Sequence, residues 1–556
     1  MIGHIIAALI NTTRAVRNGW RALLRCRVDY VRIPLRGALP ELPPHAPRWQ
    51  RLLRRGPAQP SLTALRRQLA QVADDPQSTG VLLEIGALAT GWATLQSLRD
   101  ELRGFRARGK RVVAYITALD APGYYLACAA DEIVMPPSAV FQATGFASEV
   151  QYLGDALARV GIVAEVEAVS PYKAAYERFT RADMSPENRA QLERLIDQRY
   201  HALLAAVAEG RGTTPEAARE LIDRAPMGSA DAQAAGLIDA RLYEDELARH
   251  LGAGQEAKLL PWARAKGALR LPMARYRKGV VAVIPVEGTI VAGASQRLPL
   301  PLPLLGQVQA GSDSIAQAVR AAERSGQIAA AVVYVNSPGG DAFASDLIWR
   351  EVLRLKAKKP VVVVMGDMAA SGGYYLAAPA SAIFAQPGTV TGSIGVIAMR
   401  PVVGGLLEKA SIHTANIRRG ANSGMYSITQ PLSEGERAAW HRLIETIYAD
   451  FRQRVVAGRG MAEAELEKIA GGRVWSGSDA LRLGLVDALG GLPEGIRKAQ
   501  ELAGLPPDER APFAVLRGGA GLPPQPFPAE GLAALLACAE DGLRPRLWAI
   551  LPFVGL

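Results

Sequence analysis

The sequence predicts an α/β chain: a domain duplicated in tandem, each copy built on a mainly parallel sheet flanked by helices. Three observations carry that reading. Short apolar strands, Val81–Ile85, Ala331–Val335 and the four valines Val361–Val364, alternate with helical stretches such as Leu95–Arg106 and Ser345–Lys356, the pattern of βαβ units. A length of 556 residues exceeds the roughly 250–300 that one hydrophobic core serves. Related segments also recur in register along the chain.

The recurrence is specific. Val81–Ile85 precedes Ala331–Val335 by 250 residues, and Pro122-Gly123-Tyr124-Tyr125-Leu126-Ala127 precedes Gly372-Gly373-Tyr374-Tyr375-Leu376-Ala377 by the same 250. Ile33–Gly37 matches Ile284–Gly288 at 251, and Gly236-Leu237-Ile238-Asp239-Ala240 matches Gly484-Leu485-Val486-Asp487-Ala488 at 248. The reading is therefore a first repeat over 29–273 and a second over 274–505, with amphipathic helices at Thr214–Asp223 and Ser433–Val456. Residues 1–28 precede the repeats. A Pro/Gly-rich tail with an apolar end, Leu532–Ala537 and Leu547–Leu556, follows at 506–556.

Composition narrows the possibilities. Three cysteines (Cys26, Cys128, Cys538), odd in number and far apart, form neither a disulfide framework nor a zinc pattern. The net charge of +11 permits nucleic acid or an anionic membrane. Its arginines are scattered without interleaved aromatics, which argues against nucleic acid. In residues 1–28, Arg14, Arg17, Arg21 and Arg25 recur at helical spacing beside an apolar run of about nine residues. That run is too short for a span of about 20 residues and lacks the flanks of a secretory signal. A basic amphipathic helix lying on a membrane is expected; a packed or solvated helix is the alternative. Leu298–Leu305 reads as an apolar Pro-rich loop.

The candidate chemistry lies in Val361–Gly395. The valine strand is expected to break at Gly366, and Ala369-Ala370-Ser371-Gly372-Gly373 forms a turn of small residues before a helix that stops at Pro379. Ser371 then lies at a helix N-terminus, where free N–H groups favour developing negative charge. By itself such a serine is more simply a helix cap.

What separates the two copies points elsewhere. Ser371 aligns with Ala121, and Asn336-Ser337-Pro338-Gly339-Gly340 aligns with Gly86-Ala87-Leu88-Ala89-Thr90, which lacks the glycine pair. Conversely Lys173, in Ser170-Pro171-Tyr172-Lys173-Ala174-Ala175-Tyr176, aligns with Ala421. Each copy has lost what the other keeps, as one site drawing on both would require. A serine needs a base, and the six histidines (His4, His45, His201, His250, His413, His441) lie outside these segments. A lysine serves if apolar surroundings desolvate it and lower its pKa. Gly372 and Gly340 or Gly339 are the candidate oxyanion-hole donors. Ser393, opposite Ala143 in the first copy, is the candidate for orienting the amine. Met365, Met368 and Leu376 are candidates for an apolar pocket.

At Asn336–Gly340, Met368–Tyr374, Thr391-Gly392-Ser393-Ile394-Gly395, Tyr172–Ala175 and Val283–Ile290 the chain resembles the long, duplicated form of the bacterial signal peptide peptidase A family, peptidase family S49 of the Clp-protease/crotonase superfamily. The resemblance covers about 29–505. It implies Ser371 as nucleophile, Lys173 as general base and Ser393 as the residue holding that lysine. It further implies no metal or cofactor, a tetrameric bowl on the membrane, and digestion of remnant signal peptides. The expected location is the bacterial inner membrane, with the catalytic domain facing the periplasm. The family usually carries a clear transmembrane helix, from which residues 1–28 depart. Two rival functions are a crotonase-type acyl-CoA enzyme, using Asp341 or Asp367 as acid/base, and a non-catalytic membrane scaffold.

Overall fold

The computed structural model describes residues 2–23, 27–43, 60–252, 254–273, 279–302, 306–508, 511–518 and 546–550. It divides into two compact units, Met1–Ala147 with Ile196–Lys278, and Ser148–Leu195 with Gly279–Leu556. These units do not follow the sequence repeats: Ser148–Leu195 belongs to the first repeat but packs within the second unit.

The first unit holds a six-stranded parallel sheet in the order Ala240–Arg241, Glu132–Met135, Arg111–Ile116, Gly80–Leu88, Tyr30–Gly37, Leu259–Pro261. Its central strands are apolar on both faces, as a sheet covered by helices demands. Helices Leu62–Ala73 and Trp92–Ala107 contribute Leu65, Leu69, Leu95, Leu98 and Leu102 to the same core as Val81, Leu83, Val112 and Ala114.

The second unit repeats this order in its principal sheet. Ala488–Leu489, Ala382–Ala385, Val361–Ala370, Ile328–Ser337, Val280–Glu287 and Phe513–Val515 lie side by side, all parallel. The duplication reaches single hydrogen bonds. Tyr124 Oη donates to Leu237 O at 2.8 Å and Tyr374 Oη to Leu485 O at 2.8 Å. Asp239 accepts from Ile133 N and pairs with Arg211, as Asp487 accepts from Ile383 N and pairs with Arg459. The glycines and aspartates shared at an offset of 248 thus tie Arg211 and Arg459, at the ends of the helices Pro186–Arg211 and Glu434–Arg459, to the strands Glu132–Met135 and Ala382–Ala385.

A second sheet in this unit is seven-stranded: Gln296–Leu302, Gly306–Gly311, Thr289–Val291, Gly339–Asp341, Arg546–Ile550, Ile397–Val402, Val163–Ala168. Through its last pair the inserted segment is fastened, Val163–Ala168 running antiparallel to Ile397–Val402. Inside that pair Arg400, fully buried, donates from Nε to Glu165 at 2.8 Å, and Arg437 reaches the same carboxylate at 2.9 Å. Leu432 N donates to it as well.

Two expectations change. Gly366 does not end the valine strand, which runs from Val361 to Ala370; a register irregularity between Val335 and Ser337 absorbs the stretch around it. Residues 296–302 form a strand antiparallel to Gly306–Gly311 rather than a loop, while 303–305 lie outside the described residues. In the tail, Leu532–Ala537 lies outside the described residues, but Arg546–Ile550 is a strand between Gly339–Asp341 and Ile397–Val402.

Removing one member of a buried ion pair strands the other without water or counter-charge. Glu165→Ala should therefore lower stability by about 3–5 kcal/mol and open Ser148–Leu195 to limited proteolysis. An unchanged denaturant midpoint and cleavage pattern would contradict this account of how the segment is held.

Candidate active site

Ser371 sits where the strand Val361–Ala370 hands over to the helix Gly372–Ala377. It occupies the cap position, yet its side chain makes no capping hydrogen bond. Its backbone is held at φ 55° and ψ −117°, a region that costs a non-glycine residue about 1–3 kcal/mol. Ser371 N donates to Gly392 O at 2.8 Å and Tyr375 N donates to Ser371 O at 2.8 Å, fixing the corner from both sides. That strained turn aims Oγ away from its own helix.

Oγ meets Lys173. Nζ lies 2.7 Å from Ser371 Oγ, 2.9 Å from Ser393 O and 3.0 Å from Ser393 Oγ. Lys173, Ser371 and Ser393 are all fully buried, and no carboxylate is among the contacts of the amine. Burial alone therefore drives the lysine pKa well below its usual range, since an ammonium there has neither water nor counter-charge. The neutral amine suits these partners. Its two N–H groups are accepted by the carbonyl and hydroxyl oxygens of Ser393, leaving the lone pair for the proton of Ser371.

The lysine is placed by packing around the segment that carries it. Gly472, at φ +82°, lies so close that an added Cβ would come within 2.6 Å of Lys173 Cβ, so glycine is required there. Gln191 bridges the two chain segments, donating to Tyr172 O at 3.2 Å and accepting from Val474 N at 2.9 Å. The Arg473 guanidinium lies over the rings of Tyr172 and Trp475, and Arg194 makes a bidentate pair with Asp479 at 2.7 Å. Gln191, Arg194, Gly472 and Arg473 were not among the sequence candidates; nothing in composition or spacing marks a residue whose role is to press on another. Ser393, at φ 52°, is fixed by donating N–H to Arg473 O at 2.7 Å.

The glycine turn closes the site. Gly340 is forced by close approach, because a Cβ there would lie 2.0 Å from Ile290 O. A Cβ on Gly372 would sit 3.3 Å from Gly340 N and 3.4 Å from Gly339 Cα, so the two candidate donor loops abut. The remaining candidates fall elsewhere. Met365 and Leu376 are buried in the main core, and Met368 packs beside Leu192, Leu195 and Val474. Asp341 caps its own helix, accepting from Ala344 N at 2.8 Å. His250 and His441 contact Glu132 and Glu167 rather than the serine. Among the described residues no three histidine, cysteine, aspartate or glutamate side chains converge to hold a metal.

A buried serine 2.7 Å from a buried lysine amine, beside paired glycine turns on an α/β sheet, fits a serine hydrolase. Comparison with known proteins gives the family: the model for peptidase family S49 matches residues 104–258 and 354–506, and the chain belongs to that family of serine proteases. It is 33% identical over 464 residues to the chloroplastic serine protease SPPA of Arabidopsis thaliana, a match covering 82% of this chain and 68% of that one. It is 32% identical to Protease 4 of Haemophilus influenzae, over 78% of this chain and 72% of the relative. Protease 4 of Salmonella typhi is likewise 32% identical, over 80% and 72%.

Two outcomes follow for stability. Ser371→Gly should be more stable than Ser371→Ala by about 1 kcal/mol, because only glycine relaxes the corner; equal midpoints in urea would contradict the strain. The unfolded lysine, with a pKa near about 10.4, holds a proton that the folded chain gives up, so wild-type stability rises with pH between the lowered folded value and about 10.4. Lys173→Met should lack that rise. Its stability advantage over wild type should be largest at and below the lowered folded value and shrink as pH rises toward about 10. Parallel profiles for the two proteins would mean the lysine is charged in the fold.

Proposed function

We propose that the chain is an endopeptidase using a Ser371–Lys173 dyad to hydrolyse apolar peptides in extended form, remnant signal peptides at a bacterial inner membrane among them. The observation that carries the reading is the 2.7 Å approach of a fully buried lysine amine to the serine hydroxyl. Lys173 takes the proton of Ser371 as Oγ attacks the scissile carbonyl carbon. The oxyanion is held by the N–H groups of Gly372 and Gly340, with Gly339 supplying the turn that presents the latter. Lys173, now an ammonium steadied by Ser393, returns its proton to the departing amine, leaving an acyl-serine. Water, deprotonated by the same amine, then releases the acid and restores Ser371.

The substrate class draws support from the chain itself. Arg546–Ile550, with Leu547, Trp548, Ala549 and Ile550 in succession, runs antiparallel to Gly339–Asp341 and places Ala549 opposite Gly340. The slot beside the glycine turn therefore accepts an extended segment by strand addition, in which backbone hydrogen bonds supply affinity whatever the side chains. An apolar peptide laid along that edge would bring a carbonyl to Ser371. Assembly as a homotetramer and orientation toward the periplasm belong to the same reading, on the strength of the family resemblance, and light scattering of the purified chain reads the first.

Ser371→Ala and Lys173→Ala should each lower kcat for an apolar fluorogenic peptide by at least about a thousandfold with little change in KM. A fluorophosphonate should label Ser371 in the wild type. Labelling absent there, or turnover kept in either variant, would end the dyad assignment. Truncation after Gly518 removes the strand from the slot. KM should then fall, by about tenfold if the strand fills the slot for roughly nine-tenths of the time, and an unchanged KM would show that the strand and substrate do not compete.

A further inference from the structure

The helix Ile2–Leu23 is docked the wrong way round for a helix that belongs to a water-soluble surface. Such a helix turns its apolar stripe inward and its charges outward. Here the arginines face the body. Arg14 donates to Pro272 O, Arg17 to Lys266 O and Gly267 O, and Asn18 both donates to Leu271 O and accepts from Leu271 N. Arg21 donates to Ala268 O and pairs at 2.6 Å with the carboxylate of Asp75, which is fully buried and also accepts from Arg270 N. Cations at the carbonyl end of the helix Trp262–Ala268 are favourably placed against its dipole. The arginine face is therefore committed to the protein.

The opposite stripe is left outside. Leu9, Val16, Trp20 and Leu23, at intervals of seven, four and three residues, lie on one face, and they are 63, 55, 60 and 73% exposed. No described helix is long and apolar enough to cross a membrane, so the stripe is not part of a span. Its surroundings favour one partner. Neither Met1–Val28 nor Leu259–Met273 contains an aspartate or glutamate; Arg264, Lys266 and Arg270 are exposed, while Arg27 pairs with Asp29 at 2.6 Å. A second copy seated on this face by a two-fold axis would set the basic segments against each other, at an electrostatic cost. An anionic bilayer matches both features: headgroups for the exposed cations, and the acyl boundary for Leu9, Val16, Trp20 and Leu23.

We infer that the helix Ile2–Leu23 is an in-plane membrane anchor that binds anionic bilayers through its apolar stripe, while its own arginines fasten it to the protein instead of to lipid. This differs from the usual basic amphipathic helix, whose arginines meet the headgroups and whose removal abolishes binding by charge alone. It is also independent of the dyad, because hydrolysis of a soluble peptide is measured without lipid.

The test is flotation of the full chain with vesicles of phosphatidylcholine and phosphatidylglycerol. Wild type should float, and the fluorescence of Trp20, isolated by comparison with Trp20→Phe, should shift to the blue. The combined variant Leu9→Ser, Val16→Ser, Trp20→Ser, Leu23→Ser should bind at least about tenfold more weakly, while hydrolysing a soluble peptide at the wild-type rate. Full binding by that variant would overturn the proposal. So would a wild-type dimer that the same substitutions dissolve, with no flotation of either protein. Vesicle binding removed completely by high salt would also overturn it, since that is binding by charge without insertion.

Discussion

A fully buried amine with no carboxylate among its contacts is the constraint around which the second unit is arranged. A lysine in that position costs the fold the proton it would carry in water, and burial by itself produces the effect, without help from a neighbouring cation. What makes the cost tolerable is that both oxygens of Ser393 are on hand to accept from it. What makes it useful is that the remaining direction points at Ser371. The same logic explains why no histidine is needed and why the surroundings of the amine are built from glycine, serine and backbone, with no carboxylate.

Holding such an amine within hydrogen-bond reach demands a rigid second layer. The segment that carries Lys173 has little core of its own. It is secured by strand pairing with Ile397–Val402, by the buried Arg400–Glu165 pair, by Gln191 bridging two backbones, and by the Tyr172–Arg473–Trp475 stack. Each is a different interaction, and they are spread from Val163 to Gln191. The strained corner at Ser371 supplies the matching precision on the other side. Strain at the serine and desolvation at the lysine are both stability given up for geometry, the usual bargain at a reactive centre.

Much of this was legible in the sequence because duplication turns one chain into its own comparison. The α/β class, the duplication and the helix at Ser433–Val456 follow patterns that are local or repeated. The pairing of Lys173 with Ser371 was legible because each copy lacks the partner's residue. What escaped depended on non-local packing. Gly366 looks like a strand breaker until an irregular register accommodates it. The proline-rich run at Leu298 forms a strand because Gly306–Gly311 is there to pair with it. The apolar end at Leu547 joins the glycine turn, a partner about 200 residues away in sequence. For the N-terminal segment the spacing of its arginines leads to the expectation of an amphipathic helix, but which face meets the protein cannot be told from spacing. Asp75, buried and awaiting a cation, decides it.

The central claim is that the Lys173 amine is neutral when the site is ready to react, and a heteronuclear NMR titration of that side chain tests it most directly. The lysine should titrate well below the ordinary range near about 10.4, with its resonances unchanged on replacing Ser371 by Gly except for loss of the hydroxyl contact. A Lys173 that keeps its proton up to the range of a solvent-exposed lysine would contradict the account, whatever the distance to the serine.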